Sequence, residues 1–385
     1  TGYLKEVVQI DAMGGTGRGE KNRFGTSLAV TESKEVYGWG NSLYGALGVN
    51  ASIVSTPVRV GTDISNAVQV AGGGKSGSDD WHVNSIGNTG YTYILKEDGT
   101  VSSLGYNVNG ELGNGAKVST TAVQEVSNLT EIMQVAGSKN GNFGAAVKED
   151  GTVWTWGNNT NGQLGNNSTE NSSNPVQVKS ADGNGYLTNI IEISAGSDHN
   201  MALSKDGTVF TWGSNAYGQL GNGSSVNSML PVQVKSADGN SFLADIVQIS
   251  AGYVHSMALK KDGTVLAWGR NDGGQLGNNN TSNKSLPVQV KGGASGSEYL
   301  TDVVQVTAGN WHSMALKANG TVYAWGWGQY GQLGNGYTTN SDDTDKYSGE
   351  KIYSAPVQVL NGAQTSETGY LKEVVQIDAM GGTGR

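Results

Sequence analysis

The chain has 385 residues and no Cys, and 24 Lys+Arg against 33 Asp+Glu leave it a net charge of −9. Zero Cys excludes disulfides, thiolate metal sites and Cys nucleophiles, and the acidic balance argues against nucleic-acid backbone or anionic lipid as partner, since both need clustered cations. Gly supplies 60 residues and charged side chains 15%, against usual shares of about 7% and about 25%, and no apolar run approaches the roughly 18–20 residues of a membrane span.

Along the chain the elements are copies of one block. It reads VQISAG, two variable residues, HSMALK, a DGTV turn, then WG and a GQLGN loop that leads to PVQV. Its tryptophan falls at Trp39, Trp156, Trp212, Trp268 and Trp325, with Leu104 in the second copy, at steps of 65, 52, 56, 56 and 57 residues. Such a period signals a repeat architecture. Within a copy the first strand is like Ile246–Ser250 and the second like Ser256–Lys260. Asp262-Gly263 turns into a third strand, Thr264–Trp268, and a long Gly/Asn loop leads to a fourth, Pro287–Val290. Asp-Gly and Asn-Gly between short apolar runs are hairpin turns, because Gly accepts φ > 0. No segment keeps a helical period. The predicted fold is therefore all-β, a β-propeller of four-stranded antiparallel blades. Six blades are complete, at about 4–60, 61–126, 127–178, 187–234, 243–290 and 300–360, and residues 371–385 open a seventh. The repeated Trp-Gly is expected to pack between blades, a large ring beside a residue with no side chain.

Residues 1–18 are identical to residues 368–385, whereas the other copies differ at many positions. This identity predicts a fragment of a longer array with a unit of 367 residues, or an assembly artefact that collapsed such an array. Within one ring, two identical strands would compete for one position and invite strand exchange or tandem propeller neighbours.

Few residues invite a chemical role. His199, His255 and His312 hold one slot in consecutive blades. A three-His metal site is the bold reading, and a repeat-borne imidazole bonding backbone within each blade is preferred, because ligands must converge on one ion. AGGGKSG at 71–77 lacks the glycine spacing and following helix of a phosphate loop. Asp342, Asp343 and Asp345 are a weak Ca²⁺ candidate; a solvated loop is preferred. No Gly-x-Ser-x-Gly elbow or other catalytic set is present, so no enzyme activity, cofactor or metal is predicted.

In a repeat protein, function is expected where the pattern breaks. From the first-strand Gln to the His slot is 7 residues in blades five and six, but 17, 22 and 9 in blades one, two and three. The loop before strand four spans 9 residues in blade five and 21 in blade six. All four insertions fall on one face of the ring. Trp81, in the blade-two insertion, and Trp311 and Trp327, which the repeat does not use either, fall in the one–two turns and three–four loops of this face, with Tyr44, Tyr217, Tyr253 and Tyr330. With Asp79 and Asp80 beside Trp81, they are the predicted partner-binding residues, since exposed Trp and Tyr are enriched at binding hot spots. Flat packing on neighbouring blades is the competing reading.

The blocks at Ala251–Asn278 and Ala308–Gly326 resemble the regulator of chromosome condensation repeat family, and the likeness runs over nearly the whole chain. It implies a β-propeller, usually of seven blades, and a bacterial type is expected here. Some relatives are exchange factors with a basic arm for DNA; this chain has five Arg, at 18, 23, 59, 270 and 385, and no such arm. A secreted bacterial β-lactamase inhibitor looks similar, which implies a protein-inhibitor role. A plant ultraviolet sensor of the family clusters Trp with Arg; Trp311-His312 resembles its motif, but no Arg follows Trp311, and this likeness is set aside. The leading expectation is a non-catalytic module that binds a protein partner, with no nucleic acid and no membrane insertion. The alternative is a structural or adhesive segment of a large bacterial surface protein. An extracellular or cell-surface setting is expected, with the cytoplasm as alternative.

Overall fold

The structure, a computed structural model, describes residues 4–14, 25–75, 89–293, 298–329, 331–336, 352–361 and 369–379. It is a six-bladed propeller. Blade one holds β1 (Val7–Gly14), β2 (Gly25–Thr31), β3 (Val36–Asn41) and β4 (Ile53–Arg59). Blade two holds β5 (Ala67–Gly73), β6 (Tyr91–Lys96), β7 (Val101–Gly105) and β8 (Thr120–Glu125). Blade three holds β9 (Ile132–Gly137), β10 (Phe143–Lys148), β11 (Val153–Gly157) and β12 (Ser172–Gln177). Blade four holds β13 (Ile190–Ala195), β14 (His199–Ser204), β15 (Val209–Gly213) and β16 (Ser228–Gln233). Blade five holds β17 (Ile246–Ala251), β18 (His255–Lys260), β19 (Val265–Gly269) and β20 (Lys284–Gln289). Blade six holds β21 (Val303–Ala308), β22 (His312–Lys317), β23 (Val322–Trp327) and β24 (Ile352–Gln358).

Every blade is an antiparallel sheet in sequence order. The first strands contact one another around a central funnel of about 780 Å³, walled by Val68, Met133, Val247 and Val304. Fourth strands are the outer edges. They begin earlier than expected, at Lys284 rather than Pro287 in blade five, and Pro57, Pro175, Pro231, Pro287 and Pro356 lie inside them. An outer edge tolerates a residue without an N–H.

A clasp and an indole recur at the joints between blades. A Gln on the first strand, replaced by Glu192 in blade four, clasps the next blade: the Gln69 side chain accepts from Val135 N at 3.0 Å and donates to Val135 O at 3.1 Å, and Gln248 accepts from Val306 N at 2.8 Å. The repeat Trp reaches back the other way. Trp212, Trp268 and Trp325 Nε1 donate to the carbonyls of Gln163, Gln219 and Gln275, each at 2.9 Å. The glycine under the ring is not its Trp-Gly neighbour. It is the one in the preceding blade's Leu-Gly-Asn: a Cβ on Gly221 would stand 2.7 Å from Trp268 Nε1. Gly269, at φ +102°, is required instead because a Cβ there would meet Val254 O at 2.8 Å.

The histidines also differ from expectation. His199 Nε2 bonds Ser256 Oγ at 3.1 Å and His255 Nε2 bonds Ser313 Oγ at 3.0 Å, so they link blades through side chains rather than bonding backbone within a blade. Residues 371–379, expected to open a seventh blade, form no strand. Among the described residues no second strand follows to pair with them.

Candidate functional site

The break in the repeat that matters most sits at one slot, the residue after Trp-Gly. It holds Asn158, Ser214, Arg270 and Trp327 in blades three to six. Its backbone N–H is tied to the residue just before the His slot: Ser214 N to Asp198 O at 2.7 Å, Arg270 N to Val254 O at 3.0 Å, Trp327 N to Trp311 O at 2.9 Å. The scaffold therefore delivers the side chain to the rim where one–two turns and three–four loops meet.

In blade five that side chain is Arg270. Its guanidinium carbon lies 4.7 Å from the centroid of the Tyr217 ring of blade four and 4.4 Å from that of Trp311 of blade six. Asp272 holds the guanidinium from the side, with Nε to Oδ1 at 2.8 Å and the second nitrogen to Oδ2 at 2.5 Å. Trp311 then meets Tyr253 at 5.7 Å and, edge-on at 81°, Trp327 at 5.8 Å. Three blades thus build one cluster. Tyr217, Tyr253, Arg270 and Trp311 are half-buried, while Trp327, at 8% exposure, is the floor of the cluster rather than part of its surface. Cation–π pairs of this kind contribute about 0.5–1 kcal/mol each when exposed.

Of the residues predicted from sequence, Tyr217, Tyr253, Trp311 and Trp327 come together here. Tyr44 does not; it is 39% exposed and packs on Tyr106 at 5.0 Å, between blades one and two. Trp81, Tyr330, Asp79, Asp80, Asp342, Asp343 and Asp345 lie outside the described residues. Arg270 was the residue missed. No Arg follows Trp311 along the chain, but Arg270 reaches it from the neighbouring blade. Its signal was the slot after Trp-Gly, where an Arg replaces the small polar residues of blades three and four.

The ring centre carries a second polar group that sequence reasoning missed. The two extra residues of blade three's one–two turn bring in Lys139, whose Nζ donates to Ala308 O of blade six at 2.6 Å. Burial pulls Lys139 down to about 8, while Asp378 and Asp11 hold it up. Burial, with Asp378 next, pushes the Asp11 carboxyl well up. Burial, with the Lys139 charge behind it, drives His199 and His255 down to about 3 and His312 to about 4. These imidazoles are neutral at pH 7 and act as packing groups. Among the described residues no His, Asp and Glu group has the arrangement of a metal site.

Comparison with known proteins fits this architecture. The family model of the RCC1-like domain matches residues 83–380. The chain belongs to the RCC1-like domain family. The ultraviolet-B receptor UVR8 of Arabidopsis thaliana is 30% identical, over 87% of this chain and 72% of its own length. The human E3 ubiquitin-protein ligase HERC2 is 28% identical over 91% of this chain, which spans only 7% of that protein. Among solved structures, human WBSCR16 superposes with a TM-score of 0.71 at 21% identity, covering 93% of this chain and 82% of that one. Yeast RCC1 (Prp20) bound to Kap60 superposes at 0.70 and 22% identity, covering 93% and 76%. At those identities the likeness is one of fold.

Proposed function

We propose that this RCC1-like domain is a non-catalytic protein-binding module that grips its partner with the rim of blades four to six. The observation that supports this most is Arg270 held between Tyr217 and Trp311 and clamped by Asp272. Trp, Tyr and Arg dominate binding hot spots, and here their geometry is fixed before any partner arrives, which lowers the ordering cost of binding. The relatives add support of a general kind, since yeast Prp20, which shares the fold, is bound to Kap60 in one structure and has binding properties to Gsp1p and histones.

The test is alanine substitution of Trp311 and of Arg270, each checked for native folding by circular dichroism, followed by quantitative capture of partner proteins, with purified histones and a small GTPase as defined probes. The proposal expects both folded variants to lose a partner that the unaltered chain retains, by at least tenfold in Kd, which is about 1.4 kcal/mol. Unchanged binding by both folded variants overturns it.

A second reading has its own observation. Trp311 lies between a guanidinium and a second indole, and the 30%-identical relative is a light receptor by name. If this cluster also responds to ultraviolet light, irradiation should change the oligomeric state or fluorescence of the unaltered chain and not of Trp311→Phe.

A further inference from the structure

Residues 4–12 and 371–379 carry one sequence, LKEVVQIDA. The structure gives the two copies complementary halves of one environment. Residues 371–379 have a preceding blade but no sheet. Gln305 clasps Ile377, with Nε2 to Ile377 O at 2.8 Å and Ile377 N to Oε1 at 2.9 Å. Ala379 N donates to Thr307 Oγ1 at 3.1 Å, as Ala308 N does to Ser250 Oγ at 3.0 Å. Val374 N donates to Gly320 O and Leu371 N to Val359 O, as Val303 N does to Gly263 O and Leu300 N to Val290 O. These bonds repeat the ones that dock the first strand of blade six on blade five.

β1 has the opposite half. It pairs with β2 along its length and clasps blade two through Gln9 and Val70, but among the described residues Val7, Val8 and Ile10 stay exposed. Ile10 is 47% exposed, where Val70, Val135, Ile193, Ile249 and Val306 are at 1% or less. Trp39 is half-exposed, where Trp156, Trp212, Trp268 and Trp325 are buried against the preceding blade. At the funnel the Asp11 and Asp378 charges oppose each other, and both act on Lys139.

We propose that residues 371–379 replace residues 4–12 as the inner strand of blade one, so that the segment docked on blade six also completes the sheet of blade one and residues 4–12 are displaced. In that state the β1–β2 register places Gln376 opposite Val30, Ile377 opposite Ala29, Asp378 opposite Leu28 and Ala379 opposite Ser27, following the pairs of Gln9, Ile10, Asp11 and Ala12. Gln376 takes over the clasp on Val70. Asp378 takes over the bond that Gly72 N gives Asp11 at 2.6 Å. Trp39 comes to face blade six at Gln332, the counterpart of Gln275 under Trp325. Of the two carboxylates whose charges act on each other, the buried Asp11 leaves. The occupant is a segment of the same chain rather than of a second copy, because the copies already lie side by side and their effective concentration is about millimolar or more.

Because the chain has no Cys, engineered pairs report the register directly. Ser27→Cys with Ala379→Cys reads the exchanged state, and Ser27→Cys with Ala12→Cys reads the other. The proposal expects dilute oxidation of the first pair to give a disulfide within one chain, to an extent comparable with the second. It also expects Trp39→Phe to remove a buried, blue-shifted component of the emission. An intrachain 12–27 disulfide that forms to completion while 27–379 forms none, or forms only between chains, overturns it. So does a Trp39 component with the emission of a solvated indole.

Discussion

At the residue scale, the informative positions are those where one copy departs from the rest. Glu111 stands where the later blades carry Gln163, Gln219 and Gln275. All four accept a backbone N–H two residues earlier, at 2.8 Å from Asn109, 2.8 Å from Asn161, 3.0 Å from Tyr217 and 2.9 Å from Gly273. Gln does this without charge. Burial pushes the Glu111 carboxyl up from 4.5 to about 7, against the pull of its bonds from Asn109. Between those values the folded chain binds more protons than the unfolded one, so the contribution of this group to stability falls as pH rises through the window. Glu111→Gln should therefore stabilise by about 1–2 kcal/mol at pH 8 and by little at pH 4.5, read from urea unfolding at the two pH values. Arg270 is a second such position. Arg270→Lys keeps the charge but loses the planar fork on Asp272 and the stacking on two rings, and should weaken partner binding nearly as much as Arg270→Ala, as read by titration calorimetry.

At the element scale, blades are held by what each lends its neighbours. Trp268 packs on blade four's Gly221 and bonds the Gln219 carbonyl, where Ser256 Oγ also donates at 2.8 Å. Gly221→Ala drives a methyl into that indole at φ +65°, a left-handed backbone as well. It should cost about 2–4 kcal/mol, by overpacking and strain together, measured by thermal unfolding. The strands themselves were legible because the period, the Asp-Gly turns and the alternating apolar residues agree with one another. What was not legible lies between blades. A single copy does not show that His199 bonds a Ser of the next blade, or that the glycine beneath Trp268 belongs to the previous one. The start of strand four was missed because Pro287 looks like a boundary, whereas an outer edge accepts it.

At the scale of the whole molecule, repetition decides what is free to vary. Six copies fix the ring, and the rim collects what the copies do not share. Tyr217, Tyr253, Trp311 and Trp327 could be assigned to one face from strand topology alone, but not their meeting. That depends on Arg270 crossing from blade five to blades four and six. Tyr44 obeys the same topology and sits elsewhere, because topology assigns a face and not a sector. Lys139 was hidden for a similar reason: a turn two residues longer was visible, its reach to blade six was not. Exchange of the inner strand of blade one is likewise a property of the closed ring, invisible in either copy of LKEVVQIDA alone.

Whether the rim indole is spare to the fold is decided by comparing the urea-unfolding free energies of Trp311→Ala and Trp268→Ala with that of the unaltered chain. A blade-joining Trp should cost about 3–5 kcal/mol on truncation, and Trp311 no more than about 1 kcal/mol, the worth of an exposed cation–π contact. Equal losses at the two positions would make Trp311 a packing residue and contradict a rim kept for a partner.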